Sequence, residues 1–213
     1  MIPLLLATTN QGKVAEVTAL LADLPVEVLT LASWADLPAP EETGATFAEN
    51  ARIKAEYYAR ATGRLTVAED SGLVVDALDG APGVQSARFG GPGRSDRDRC
   101  RLVLEALRAR GLTTSAARFV CALAVAGPDG VRFESAGTVE GTIAPALAGT
   151  AGFGYDPIFI YPPFGCTFAE AGPRKQEVSH RRRAFDALHR WVAAGGATMA
   201  SQAGGTASAR QPT

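Results

Sequence analysis

Two hydrophobic periods alternate along the chain, and their changeovers mark the elements. Leu4-Leu5-Leu6-Ala7 is an unbroken apolar run, the pattern of a strand buried on both faces. After the polar Thr8-Thr9-Asn10-Gln11-Gly12, apolar positions fall at Val14, Val17, Leu20/Leu21 and Leu24, a helical spacing that Pro25 stops. Val26 to Leu31 alternates as a second strand. Pro38, Pro40, Glu41, Glu42 and Gly44 make the next stretch loop. Thr46-Phe47-Ala48-Glu49 is a capping box, and Phe47, Ala51, Ala55 and Tyr58 are the buried stripe of the helix it opens.

Leu65 to Ala68 is a third strand, which the polar Glu69-Asp70-Ser71-Gly72 is expected to end in a turn before Leu73-Val74-Val75. A Gly/Pro loop from Gly80 to Gly93 precedes a helix opened by Ser95 or Asp96, with Cys100, Val103/Leu104 and Leu107 inward. Arg118–Ala126 and Val131–Ala144 pair as a long hairpin across Gly127-Pro128-Asp129-Gly130, with bulges expected at Gly137 and Gly141. Ser179 opens the last helix, burying Phe185, Leu188 and Trp191/Val192. The expected fold is α/β: a mixed twisted sheet with flanking helices and a second, β-rich lobe near residues 118–144, with a cleft between the lobes. One domain is expected over residues 1–193. From Ala194 the chain turns to Ala, Gly, Ser, Thr and Gln, so 194–213 is expected to be a disordered tail.

Composition narrows the function classes. A chain of 213 residues with 46% hydrophobic and 20% charged residues can bury a full core, which excludes wholesale disorder. Lys and Arg number 21 against 22 acids, so a duplex nucleic-acid binder is disfavoured and any anion must meet a local basic cluster. Cys100, Cys121 and Cys166 are odd in number and widely spaced, which argues against a disulfide framework or zinc site and for a reducing compartment. The opening apolar run lacks a basic flank and ends by Thr8, and no run reaches the ~18–20 apolar residues of a membrane span. A soluble cytoplasmic protein is expected.

Four polar segments carry candidate chemistry. Thr8-Thr9-Asn10-Gln11-Gly12-Lys13 joins a strand to a helix, whose free amides and early lysine suit phosphate. It is not a Walker A loop, because Ala7 stands where that motif needs glycine and Val14 follows the lysine. Glu69-Asp70-Ser71-Gly72 offers hard carboxylate ligands of the kind Mg²⁺ takes, and Glu41-Glu42 is a source of a second. In Gly152-Phe153-Gly154-Tyr155-Asp156-Pro157, glycines flank an aromatic able to stack on a flat ligand. Near the last helix, Arg174, Lys175, Arg181, Arg182, Arg183 and Arg190 face only Glu177 and Asp186. Cations at a helix start oppose its dipole unless an anion sits there. Ser179 as N-cap is expected to aim His180 outward.

Taken together, these segments resemble the Ham1/RdgB family of non-canonical purine nucleoside triphosphate pyrophosphatases. The likeness runs from about Leu4 to Val192 and includes Glu41 to Ala51, Ala68 to Leu73, Gly80 to Arg88 and Ser179-His180-Arg181 in order. It implies a nucleotide cleft in which purine triphosphates such as ITP, dITP and XTP are cleaved to monophosphate and pyrophosphate, with Mg²⁺, by a homodimer. Thr8, Thr9, Asn10, Gln11, Gly12 and Lys13 would then hold the triphosphate. Asp70 would be the general base and a metal ligand, Glu41 the second metal carboxylate, and Ser71 would lie beside the site. Phe153 would stack on the base with Gly154 and Tyr155 beside it, and Asp156 would help fix it. Lys175, His180 and Arg181 would contact the base, the last two as donors to a C6 oxygen that adenine lacks.

Two places depart from the family pattern: Glu69 stands where Asp is common, and the stretch before Lys175 is shortened, leaving Arg174 and Lys175 both open as the ligand contact. The rival readings are a Maf-type pyrophosphatase acting on other modified nucleotides, or a purine nucleotide sensor without catalysis. Ser179-His180-Arg181 argues against the first, and Asp70 together with Glu41 against the second.

Overall fold

The computed structural model describes residues 1–197. The first strand, β1 (Ile2–Leu6), is followed by helix α1 (Gln11–Leu21), β2 (Val26–Thr30), α2 (Phe47–Thr62) and β3 (Leu65–Val75). A helix between successive strands lets them run parallel, and β1 pairs in parallel with both β2 and β3. Helix α3 (Asp96–Ala109) leads to β4 (Ala116–Gly127), antiparallel to β3, and a hairpin returns as β5 (Gly130–Ile143). Short β6 (Phe159–Tyr161) and β7 (Cys166–Thr167) complete a seven-stranded sheet in the order β2-β1-β3-β4-β5-β6-β7. Two single-turn helices, α4 (Phe168–Ala171) and α5 (Lys175–Val178), precede α6 (His180–Ala193). Among the described residues no helix is long and apolar enough to cross a membrane.

The capping signals are in place. Thr46 and Glu49 form a reciprocal capping box on α2, Ser95 and Asp98 do the same on α3, and Ser179 caps α6. Along β4 the two-residue period separates the cores. Cys121, Leu123 and Val125 pack toward α1 and α6, while Ala122, Ala124 and Ala126 face the alanine-rich stripe of α2. At its other end, Ala117 and Phe119 enter a third cluster with α3, Tyr155, Phe159 and Phe168. The hairpin is therefore shared between the lobes. The second lobe consists of the far ends of β3, β4 and β5 with α3 and the 144–168 segment.

Three details differ from expectation. Glu69-Asp70-Ser71-Gly72 does not end β3, which runs unbroken for 11 residues and pairs each of the four with β4. The ladder satisfies the backbone, and buried cations satisfy the side chains. The register shift of the hairpin lies at Val125/Ala126, next to the turn, and not at Gly137 or Gly141. Those glycines permit close crossings instead. A Cβ on Gly137 would lie 2.2 Å from the His180 carbonyl oxygen, and one on Gly141 would lie 2.4 Å from that of Ile160. Of the expected tail, 198–213 lies outside the described residues, while Ala197 is buried with α1 and α6, so the packed chain continues past Ala194.

Candidate functional site

A cavity of about 440 Å³ opens where the two lobes meet, a volume typical of small-molecule sites. Its walls are the β1–α1 turn, the middle of β3, the loop after Gly80, the Phe153 segment and the start of α6. Asn10 caps α1 by accepting from the Lys13 amide at 3.1 Å, and Thr8, Thr9, Asn10 and Lys13 line the cavity beside that helix start. Gln11 turns to solvent and donates to the Thr9 carbonyl at 3.4 Å. Gly12 lies under the Phe153 ring, where a Cβ would come within 2.9 Å of it.

Because side chains alternate along a strand, Glu69 and Ser71 face α1 and α6 while Asp70 faces α2. Asp70 Oδ1 accepts from Lys54 Nζ at 2.9 Å, and its Oδ2 accepts from Asn50 Nδ2 at 3.4 Å. Burial raises the Asp70 pKa above the ordinary carboxylate value, a pull that the Lys54 ammonium counters without cancelling. Lys54 also donates to Glu42 Oε1 at 2.7 Å, and the other Glu42 oxygen accepts from Arg88 Nη1 at 2.8 Å. The second carboxylate beside Asp70 is thus Glu42. Glu41 is exposed and lines no part of the cavity.

Asp70 and Glu42 converge on a single ammonium, that of Lys54. No group of three or more His, Cys, Asp or Glu suited to a metal occurs among the described residues. A site of two carboxylates completed by phosphate oxygens and water is what Mg²⁺ accepts.

The opposite side of the cavity is a buried ion network. Arg181, 1% exposed, donates through Nε and Nη2 to Glu69 Oε1 at 3.2 and 3.0 Å, through Nη2 to Ser71 Oγ at 3.1 Å, and through Nη1 to Glu16 Oε2. Lys13 Nζ lies 3.2 Å from the same Glu69 oxygen. Burial alone would raise the Glu69 pKa, but Arg181, Lys13 and Lys54 outweigh it and hold the carboxyl well below the usual range. Glu16 also accepts from Lys175 Nζ at 3.0 Å, and Lys175 reaches Asp156 Oδ2 at 2.7 Å. The Phe153 ring faces Lys175 Nζ at 4.8 Å and the Arg181 guanidinium at 5.5 Å. Lys175 is buried and lines the cavity, whereas Arg174 lies outside it over the Phe164 ring.

His180 is not aimed outward. It is 4% exposed and stacks on Phe119 at 4.8 Å, and its Nδ1 is buried without a hydrogen-bond partner. Burial first, then the charges of Arg181 and Lys175, hold its pKa well below the ordinary imidazole value, so the ring is neutral at neutral pH. The cavity therefore sets Asp70, Lys54 and Glu42 on one side against the Phe153 and His180 rings on the other, where Lys175 and Arg181 flank Phe153 and Lys13 joins Arg181 at Glu69.

The Ham1 family model matches residues 4–191. The chain belongs to the Ham1 family. It is 45% identical over 194 residues to a dITP/XTP pyrophosphatase of Listeria monocytogenes, covering 91% of this chain and 96% of that relative. It is 50% identical over 184 residues to the protein of the same name from Thermus thermophilus, covering 86% and 88%. Among solved structures, the HAM1 protein from Coxiella burnetii superposes with a TM-score of 0.83 at 39% identity, covering 91% of this chain and 100% of that one. The Staphylococcus aureus Ham1 protein gives 0.80 at 36% identity, covering 91% and 99%.

Some residues that hold the cavity's side chains in place in this Ham1-family chain carry little sequence signal of their own. Glu16 falls between Val14 and Val17 and looks like a solvent-facing helix acid, yet it bridges Lys175 and Arg181. Lys54 sits two residues after Arg52 on α2, and only the fold turns one inward and leaves the other on the surface with Glu134. Asn50 had a usable signal, since it falls three residues after Phe47 on the inward face of the helix, and a polar side chain there needs buried partners, here the Gly44 amide and Asp70.

Proposed function

We propose that this Ham1-family protein hydrolyses the non-canonical purine triphosphates ITP, dITP and XTP to the monophosphate and pyrophosphate, clearing them from the nucleotide pool. The observation that carries this reading is one cavity lined by the start of α1 with Lys13, by Asp70 and Lys54, and by the Phe153 and His180 rings. The start of α1 with Lys13 receives the triphosphate, where backbone amides and the ammonium offset its charge. Asp70 takes a proton from the attacking water, and Lys54 holds the Asp70 carboxylate in place at 2.9 Å. A Mg²⁺ held by Asp70 and Glu42 would neutralise phosphate oxygens as negative charge builds on the leaving pyrophosphate. The purine stacks on Phe153.

Base discrimination falls mainly on His180. A guanidinium has five N–H donors. The bonds of Arg181 to Glu69, Ser71 and Glu16 engage all but one, on Nη1. His180 lines the cavity with a neutral ring, and this reading gives that ring the donor role toward a C6 oxygen, which hypoxanthine and xanthine carry and adenine does not. The reading extends to a Mg²⁺ requirement, a homodimer and a cytoplasmic setting. It is tested by turnover of ITP, dITP, XTP, GTP and ATP with Mg²⁺, scored for pyrophosphate against orthophosphate. ITP and XTP should exceed ATP by at least ~10² in kcat/KM. Equal rates, or orthophosphate as the product, would contradict the reading.

A further inference from the structure

We infer that helix α3 sets the position of the base-stacking platform: Asp96 and Cys100, one turn apart, grip both backbone polar groups of Gly154 and so act as positioning residues for Phe153. The inference rests on reading the cavity as a purine nucleotide site. Asp96 Oδ2 accepts from the Gly154 amide at 2.7 Å, and Cys100 Sγ donates to the Gly154 carbonyl at 3.4 Å. The carboxylate is itself oriented, because its Oδ1 accepts from Arg99 Nη1 at 3.0 Å and the Arg99 side chain is only 17% exposed.

The Phe153 segment belongs to no strand, and Gly152 and Gly154 hold left-handed φ values of 75° and 62°. Such a loop has no ladder to fix it, so its place depends on a few tethers. On one side Asp156 Oδ2 accepts the Phe153 amide at 3.0 Å, and Tyr155 donates to the Ser86 carbonyl at 2.8 Å. The α3 grip on Gly154 acts directly beside the ring, which lies against Gly12 with Lys175 and Arg181 nearby. Burial, with a further push from Asp96, raises the Cys100 thiol to about 12, so it remains an S–H donor through neutral pH. Asp96 is about half exposed, so truncating it leaves the core intact.

The test compares full-length wild type with Asp96→Ala and Asp96→Asn by ITP kinetics, inhibition by inorganic pyrophosphate, and amide hydrogen exchange across 152–156. Losing a charge-assisted tether in Asp96→Ala should raise the KM for ITP roughly tenfold with little change in kcat. Pyrophosphate inhibition, which reads the phosphate end, should be unchanged. Asp96→Asn keeps an oxygen for the Gly154 amide and should recover most of the loss. Exchange at Gly154 should quicken by at least about tenfold in Asp96→Ala, whether or not substrate is present. An unchanged KM and unchanged exchange would overturn the proposal, as would parallel losses in ITP and pyrophosphate binding, which mean general distortion. Wild type that fails to cleave ITP would overturn the functional reading instead, with the exchange result still deciding the tether.

Discussion

Replacing Glu69 with Gln keeps its shape and removes the charge that three cations share. In the wild type, Arg181 and Lys13 lie 3.0 and 3.2 Å from one Glu69 oxygen, and the side chain is 0% exposed. Breaking a buried pair by removing one partner typically costs ~3–5 kcal/mol. Here the Gln oxygen still accepts a hydrogen bond and Arg181 keeps Glu16, so a loss of about 2–3 kcal/mol at pH 7 follows. At ~2–4 °C per kcal/mol for a domain of this size, the Tm should fall by roughly 4–12 °C. The pH dependence gives a second check. The folded-state pKa of Glu69 is depressed, so its stabilisation is present above the unfolded value and lost as pH falls through the folded one. Thermal melts from neutral pH downward should show the gap between wild type and variant closing below about pH 4.5. An unchanged Tm at neutral pH, or a gap that widens on acidification, would refute the reasoning.

Asp70→Asn should cut ITP turnover by ~10²–10⁴ while ITP still binds by calorimetry, because the base is lost and the cavity is kept. Unimpaired turnover removes Asp70 from the mechanism. His180→Phe preserves the stack on Phe119 and deletes the ring nitrogens, so kcat/KM for ITP should drop by about 1–3 kcal/mol with ATP hydrolysis little changed. Equal losses on both substrates would assign His180 to packing. Arg181→Ala is a poorer probe, since it takes a cation from each of two buried carboxylates, Glu16 and Glu69, and leaves them only Lys175 and Lys13.

What the sequence made legible was the local chemistry. The capping box at Thr46, the helix start at Ser95 or Asp96 and the inward stripe Cys100, Val103, Leu104 and Leu107 are set by neighbours a turn away, and they are read directly. Polar side chains inside β3 misled, because Glu69, Asp70 and Ser71 signal a turn unless the cations of α1, α2 and α6 are known to surround them. The same limit hid the contacts that Glu42 makes and its neighbour Glu41 does not. Adjacent residues in a loop alternate sides according to the backbone, and only the meeting with Lys54 and Arg88 selects one. His180 was misaimed for a related reason. Its N-cap fixes the helix start, but the face it occupies is set by β5, where Gly137 lets α6 approach closely.

The most direct test is hydrolysis of ITP in ¹⁸O-labelled water, with the position of the label read by mass spectrometry of both products. Water delivered by Asp70 to the α-phosphorus places a single ¹⁸O in IMP and none in pyrophosphate, and Asp70→Asn should abolish the labelled IMP on the same timescale. Label in pyrophosphate or orthophosphate would mean attack at another phosphorus and would contradict the account.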